Sequence, residues 1–236
     1  KKYPDIKILG INKSQDAQDT ITVLEKNGIK IAVLNYTYGL NGIALPSDMP
    51  YAVNLLDEEK VKADIASAKE QSDFVIVCPH WGTEYSLQPD SMQKKWTKIF
   101  AESGADLVLG THPHVIEPIE WVEDETTGHQ MLVYYSLGNF VNWTSSSGDG
   151  IANRMVGGMA EITVGFDEAG KGFIVDYGVN ALVTQVEQGH GGVTTYFLRD
   201  YTDEMAGKNA IIEQDANFSR EYCTKLCTDI WGDLWE

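Results

Sequence analysis

Two short stretches hold three of the chain's five histidines. "PHWGTEY" sets His80, Trp81, Glu84 and Tyr85 close together, and "GTHPHV" sets His112 and His114 on either side of Pro113. Imidazole nitrogens and carboxylate oxygens are donors for a divalent metal ion. A single histidine beside a tryptophan is equally suited to plain, hydrogen-bonded packing. The chemistry therefore depends on whether the fold brings the two stretches to one place.

The surrounding sequence predicts the elements that would do so. "ITVLEKNGIKIAVLNYT" (residues 21–37) reads as a β-hairpin, because Asn27-Gly28 tolerates the positive φ of a tight turn. Asp57 is the expected N-cap of a helix with Val61, Ile65 and Ala68 as its apolar stripe, running to about Gln71. "DFVIVCP" is a continuous apolar run, the pattern of a strand covered on both faces in a parallel sheet. Asp90 and Gln93 form a capping-box pattern for a second helix, with Trp96, Ile99 and Phe100 inward and Gly104 closing it. "ADLVLG" is the next buried strand, which completes a βαβ crossover with the two strands parallel.

In such a unit the loops leaving the strand C-termini emerge on one edge of the sheet, where open α/β sheets hold their ligands. His80 follows one strand, and His112 with His114 follows the next. Pro113 steers His112 from the helical region, and in extended chain residues i and i+2 project to the same side. Three histidines converging on one rim favour a metal site over packing. Glu84 either orients an imidazole or is a solvated loop carboxylate. Asn139, in "YSLGNF", either points its amide at the same rim or forms a turn with Gly138. Trp81 and Tyr85 either wall a pocket or belong to the core. His129 and His190 read as solvent-exposed loop residues without assigned chemistry.

Beyond the rim, "PIEWVED" and "QMLVYYSLGNF" are expected to pair around Thr127-Gly128. "GGMAEITVGFD" with "GFIVDYGVNALVTQV" forms a further hairpin. From about Arg199 the pattern turns helical and acidic, ending in an amphipathic helix marked by Phe218, Tyr222, Leu226 and Ile230. The expected organisation is a domain over residues 1–198 and a helical C-terminal appendage over 199–236.

The chain carries 18 basic against 35 acidic residues, a formal charge of −17, and 43% hydrophobic residues. That composition supports a substantial core and argues against nucleic acid as a partner, since the field repels phosphate. An anionic substrate would need local positive charge, which a bound metal supplies. Lys94, Lys95 and Lys98 lie nearby in sequence but read as a solvated helix face. No apolar run reaches the roughly 18 residues of a membrane span. The three cysteines form no disulfide framework or zinc-finger spacing, and Cys78 reads as a small core residue.

Taken together, "NGIKIAVLNYT", "DFVIVCPHWGTEY", "GADLVLGTHPHVIEPIE" and "YSLGNFV" resemble the CapA-like family of bacterial capsule, or poly-γ-glutamate, synthesis proteins, over about residues 8–142. The resemblance implies a branch of the calcineurin-like metallophosphoesterases, an α/β fold whose β-sandwich of two mixed sheets is flanked by helices and holds two divalent metals. It implies that His80 and His112 serve one metal and His114 the other, with Mn, Zn or Fe as the ion. The implied chemistry is metal-assisted hydrolysis at a phosphorus or carbonyl centre. The implied place is the extracellular face of the bacterial envelope, with a membrane anchor in the full-length protein.

The family pattern begins with an Asp-containing strand, an acidic segment and an Asn-Asn-His motif. Residues 1–20, "KKYPDIKILGINKSQDAQDT", hold no histidine, and Asp5, Asp16 and Asp19 do not match that pattern. The opening residues also lack an initiator Met and a signal-peptide core. The expectation is therefore the C-terminal portion of the family domain, its other ligands supplied by an N-terminal lobe on another chain, or a member that has lost the site. Three functional readings stand. The first is a metal-dependent hydrolase in capsule or poly-γ-glutamate biosynthesis, and the second a non-catalytic envelope component binding polymer or a partner protein. The third is a phosphoesterase acting on a small substrate. Expected partners are the missing lobe or other envelope polymer-synthesis proteins, and an anionic polymer or phosphoester.

Overall fold

In a computed structural model of the chain, which describes Tyr3 and residues 6–236 with the side chain of His190 excepted, a short helix α1 (Gln15–Gln18) precedes the first hairpin. Asp5 lies outside the described residues. Strands β1 (Thr22–Lys26) and β2 (Ile29–Thr37) pair antiparallel through Asn27 and Gly28, at φ of 53° and 82°. Two successive positive φ values are what a type I′ turn requires. Helix α2 (Glu58–Gln71) is capped by the Asp57 carboxylate, which accepts from the Lys60 amide, and it buries Val61, Ile65 and Ala68.

Strand β3 (Phe74–His80), helix α3 (Ser91–Ser103) and strand β4 (Leu107–Leu109) form the expected crossover, with the strands parallel. The capping box of α3 is complete. The Gln93 amide donates to the Asp90 carboxylate at 2.8 Å, and the Asp90 amide donates back to the Gln93 side-chain oxygen at 2.9 Å. Such a cap stabilises its helix by about 1 kcal/mol.

Strands β5 (Ile119–Glu123) and β6 (Gln130–Tyr134) pair antiparallel, and β6 lies parallel beside β4. The larger sheet has the order β1-β2-β3-β4-β6-β5 and is mixed. Strands β7 (Val156–Phe166), β8 (Gly172–Val186) and β9 (Val193–Phe197) form the second sheet. That sheet is antiparallel throughout rather than mixed, because its strands follow one another without a crossover helix.

Alternation along the central strands divides the core into two layers. Val75, Val77, Met131 and Val133 face α2 and α3, packing with Ile65, Trp96 and Phe100. Phe74, Leu107, Leu132 and Tyr134 face the second sheet, meeting Val156, Val179 and Val183. A period of two sends neighbouring residues of a buried strand to opposite layers. The molecule is thus an α/β assembly of two packed sheets flanked by helices.

The last segment carries helices α4 (Asp203–Gly207) and α5 (Arg220–Trp231) and joins the same core. The buried side of α5 is Cys223, Leu226, Cys227 and Trp231, whereas Tyr222 and Ile230 of the expected stripe are only partly covered. Residues four apart drift by about 40° per step around an α-helix, so a strict row of fours cannot stay on one face. The cysteines are unpaired, and burial pushes the Cys78 thiol up to about 11 and the Cys223 thiol to about 12. They are inert at neutral pH.

His129 corrects its expected exposure. The β5–β6 hairpin folds over the start of β4, and the half-buried ring donates through Nε2 to the Ala105 carbonyl at 2.6 Å, beside Asp106 at 3.8 Å. The side chain of His190 lies outside the described residues.

Candidate metal centre

Four parallel strands, β2, β3, β4 and β6, end on one edge of the large sheet, and their exit loops build the rim. The Tyr38 amide donates to the His80 carbonyl at 2.9 Å. The loop after β4 is tied to β3 by the Trp81 amide on the Thr111 carbonyl and the Thr111 amide on the Pro79 carbonyl, both at 3.0 Å. The rings of His80 and His112 lie 4.5 Å apart between centroids, and those of His112 and His114 lie 6.0 Å apart. The topology thus brings all three histidines together.

Their convergence does not come from extended chain. His112 and His114 both have positive φ, 111° and 62°, and so does Tyr85 at 68°. Pro113 bars the helical region to His112 without imposing the extended one. The loop must reverse between Thr111, held against β3, and the buried Val115, while the Pro113 carbonyl accepts from the Tyr85 amide at 2.7 Å. The same-side argument for i and i+2 is therefore replaced by two sharp turns. Only five non-glycine residues among those described have positive φ, and the other two, Asn27 and Asn41, are the type that tolerates it. Three strained positions at one rim mark a place whose side-chain directions the surrounding structure enforces.

Glu84, His112 and His114 each offer a ligand atom, and these atoms lie within 4.8 Å of one another. His80 adjoins His112 outside that group. Asn139 holds His114: its Nδ2 donates to the His114 carbonyl at 2.9 Å and to the Arg154 carbonyl at 3.0 Å, so its Oδ1 faces His114 Nδ1 at 2.9 Å. An oxygen acceptor there requires a proton on Nδ1, so Nε2, 3.9 Å from Glu84, is the ring atom available to a metal. Burial, reinforced by the neighbouring imidazoles, holds His80 below the ordinary histidine value. Burial also lowers His112, with Glu84 opposing. Both are unprotonated at neutral pH, as metal ligation requires. One carboxylate and two imidazoles, one oriented by Asn139, fit a divalent transition metal.

Trp81 is fully buried, with its indole NH donating to the Tyr135 carbonyl at 3.0 Å, and it packs on Phe100. It supports the rim from the core and does not wall a pocket. Tyr85 does face the rim, its ring stacked on His114 at 5.9 Å. Lys94, Lys95 and Lys98 are exposed on α3. Asp19 pairs with Lys60 at 3.6 Å, and Asp16 sits on α1, which buries no residue.

Two rim residues escaped the sequence reading. Tyr38, 4.8 Å from His112 between ring centroids, follows a strand that reads from sequence only as half of a hairpin, although β2 is also a parallel neighbour of β3. Arg154 lies on a 3₁₀ turn, Ile151–Met155, and nothing local marks it; its guanidinium carbon stands 3.5 Å from the centre of the Tyr85 ring.

Comparison with known proteins agrees with the capsule-synthesis resemblance. The chain is 37% identical over 145 residues to the PGA biosynthesis protein CapA of Bacillus subtilis, covering 59% of this chain and 36% of that protein. It is 29% identical over 151 residues to the capsule biosynthesis protein CapA of Bacillus anthracis, covering 61% and 35%. These alignments span little more than a third of each relative's length. Among solved structures, the Haemophilus influenzae NAD nucleotidase aligns at a TM-score of 0.42 with 11% identity, covering 98% of this chain and 42% of that one. The family model described as bacterial capsule synthesis protein PGA_cap matches residues 2–144, more than half of the chain, and the protein belongs to that family.

Proposed function

We propose that the rim binds a divalent Mn, Zn or Fe ion through Glu84, His112 and His114, and that it is the hydrolytic site of a capsule or poly-γ-glutamate synthesis protein acting at the extracellular face of the bacterial envelope. The observation that carries this is the grouping of those three donors within 4.8 Å, together with the locked tautomer of His114. A divalent ion held there supplies Lewis-acid polarisation of a phosphoryl or carbonyl oxygen. The chain's own residues do the rest. Asn139 orients His114, Tyr38 and His80 close one side beside His112, and the Trp81 indole anchors the loop bearing Glu84 to the core.

A second reading, a non-catalytic envelope component that binds polymer or a partner protein, is favoured by the ligand count. Among the described residues one group of three donors lies together, whereas two-metal hydrolysis needs ligands for both ions. In the first reading an N-terminal lobe or another envelope polymer-synthesis protein supplies the remainder. No helix among the described residues is long and apolar enough to cross a membrane, so an anchor in the full-length protein would be a separate segment.

Metal loading followed by dialysis and elemental analysis tests the proposal. The expected result is about one ion per chain, falling to background in a Glu84→Ala/His112→Ala/His114→Ala triple variant. Metal-dependent cleavage of p-nitrophenyl phosphate or poly-γ-glutamate supports the hydrolase, and metal without turnover supports the second reading. A folded wild-type chain that retains no ion sinks the metal site.

A further inference from the structure

Arg154 is one of three arginines in a chain of formal charge −17, and it stands beside the rim. It lies beyond residues 2–144, the stretch matched by the family model, so it comes from a part of the chain that the family match does not describe. Its guanidinium rests on the Tyr85 ring, the same ring that stacks on His114. Its carbonyl accepts from Asn139, which holds His114. Ring and backbone contacts therefore link Arg154 to the candidate metal ligands.

The guanidinium is only partly satisfied. Nη1 donates to Thr144 Oγ1 at 3.1 Å, and among the described residues no carboxylate forms an ion pair with it. A guanidinium has five N–H donors in a planar fork that matches the two oxygens of a carboxylate or phosphate. The guanidinium sits against the Tyr85 ring, which is itself stacked on His114, and Tyr85 stands on a positive-φ backbone at 68°. A half-buried, oriented, unpaired cation at the rim of a strongly acidic protein offsets the field that would otherwise repel an anionic ligand.

From this arrangement we infer that Arg154 is the specificity residue that takes an oxyanion of the substrate, either a carboxylate or a phosphoryl group, beside the metal rim. The inference rests on reading the rim as the substrate site. Arg154 makes the substrate contact, Tyr85 and Thr144 aim it, and the ion completes the charge balance.

Calorimetric titration of the full chain, metal-free and after loading with Mn²⁺, distinguishes the two oxyanion sources with two probes, a di-γ-glutamyl peptide and phenyl phosphate. Arg154→Met is expected to weaken the probe that the site takes by about 10-fold or more, the usual effect of losing a charge-assisted pair. Arg154→Lys should restore only part of it, since a lysine lacks the fork. Thr144→Val, which leaves the cation in place but frees its aim, should show a smaller loss and serves if Arg154→Met fails to fold. Metal content should stay at the wild-type value in all three variants. Loss of the peptide alone identifies a carboxylate substrate, and loss of phenyl phosphate alone a phosphoryl one. Wild-type affinity for both probes in the variants, or no binding of either probe by the wild type in either form, overturns the inference. A wild type without metal that still binds a probe through Arg154 overturns the metal reading and keeps this one.

Discussion

At the scale of single residues, one partly buried and one fully buried side chain govern what the rim can do. Asn139 spends both amide protons on carbonyls, and this forces its oxygen toward His114. Asn139→Ala should leave the fold intact and lower metal affinity by about 10- to 100-fold, read by competition with a chelating dye, because His114 can then take either tautomer. Unchanged affinity would mean that the Asn139 bond plays no part in ligation. Glu117 lies beneath the rim, fully buried, with Gln93 donating to one carboxylate oxygen at 2.5 Å and the other oxygen without a partner. Burial pushes it up from its ordinary 4.5 to about 7, against the Gln93 hydrogen bond. An acid whose folded pKa is above its unfolded one binds more protons when folded, so stability falls as pH rises from about 4.5 to about 7. Glu117→Gln should flatten that slope and gain up to about 3 kcal/mol at pH 8, measured by urea denaturation across pH. A slope that survives the substitution would place its origin elsewhere.

At the scale of elements, the rim depends on how closely β4 passes β6. A Cβ on Gly110 would stand 2.1 Å from the Tyr135 carbonyl oxygen and 2.5 Å from the Trp81 indole nitrogen. Neither can retreat, since the first is backbone and the second is hydrogen-bonded inside the core. Gly110→Ala should therefore cost about 1–3 kcal/mol, seen as a lower urea midpoint at unchanged slope. A wild-type midpoint would show that the two strands have more room than this packing allows. The main elements carry local signals, whereas α1 and β9 do not declare themselves in the sequence. Asn27-Gly28 demands a hairpin, Asp90 with Gln93 a helix start, and Gly104 a helix end. The stripe of α5 departs from the row of fours, since its buried side runs through Cys223, Leu226, Cys227 and Trp231.

At the scale of the whole molecule, the C-terminal segment joins the core between the two sheets rather than lying against its surface. Trp231 is buried, its indole NH donates to the Glu117 carbonyl at 3.0 Å, and the final residues pair with Val179 and Ala181 of β8. Trp231→Ala should cost about 3–5 kcal/mol and shift a single cooperative thermal transition, followed by near- and far-ultraviolet circular dichroism together. Two separated transitions would mean that residues 199–236 fold as an independent appendage. The same contact ties the tail directly to the Glu117 backbone.

The sequence alone was enough for the principal strands and helices, the parallel crossover and the placing of His80, His112 and His114 at one sheet edge. All of these follow from local periodicity, caps and the rule that parallel strands end together. The fold settled what the sequence left open: Glu84 groups with His112 and His114 while His80 adjoins His112, Asn139 turns its amide to His114, and Trp81 belongs to the core. It also brought in Tyr38 and Arg154. Those outcomes depend on strained loop backbone and on contacts between residues far apart in the chain. Neither leaves a periodic trace, because a side chain's direction in a sharp turn is set by what the rest of the fold packs around it.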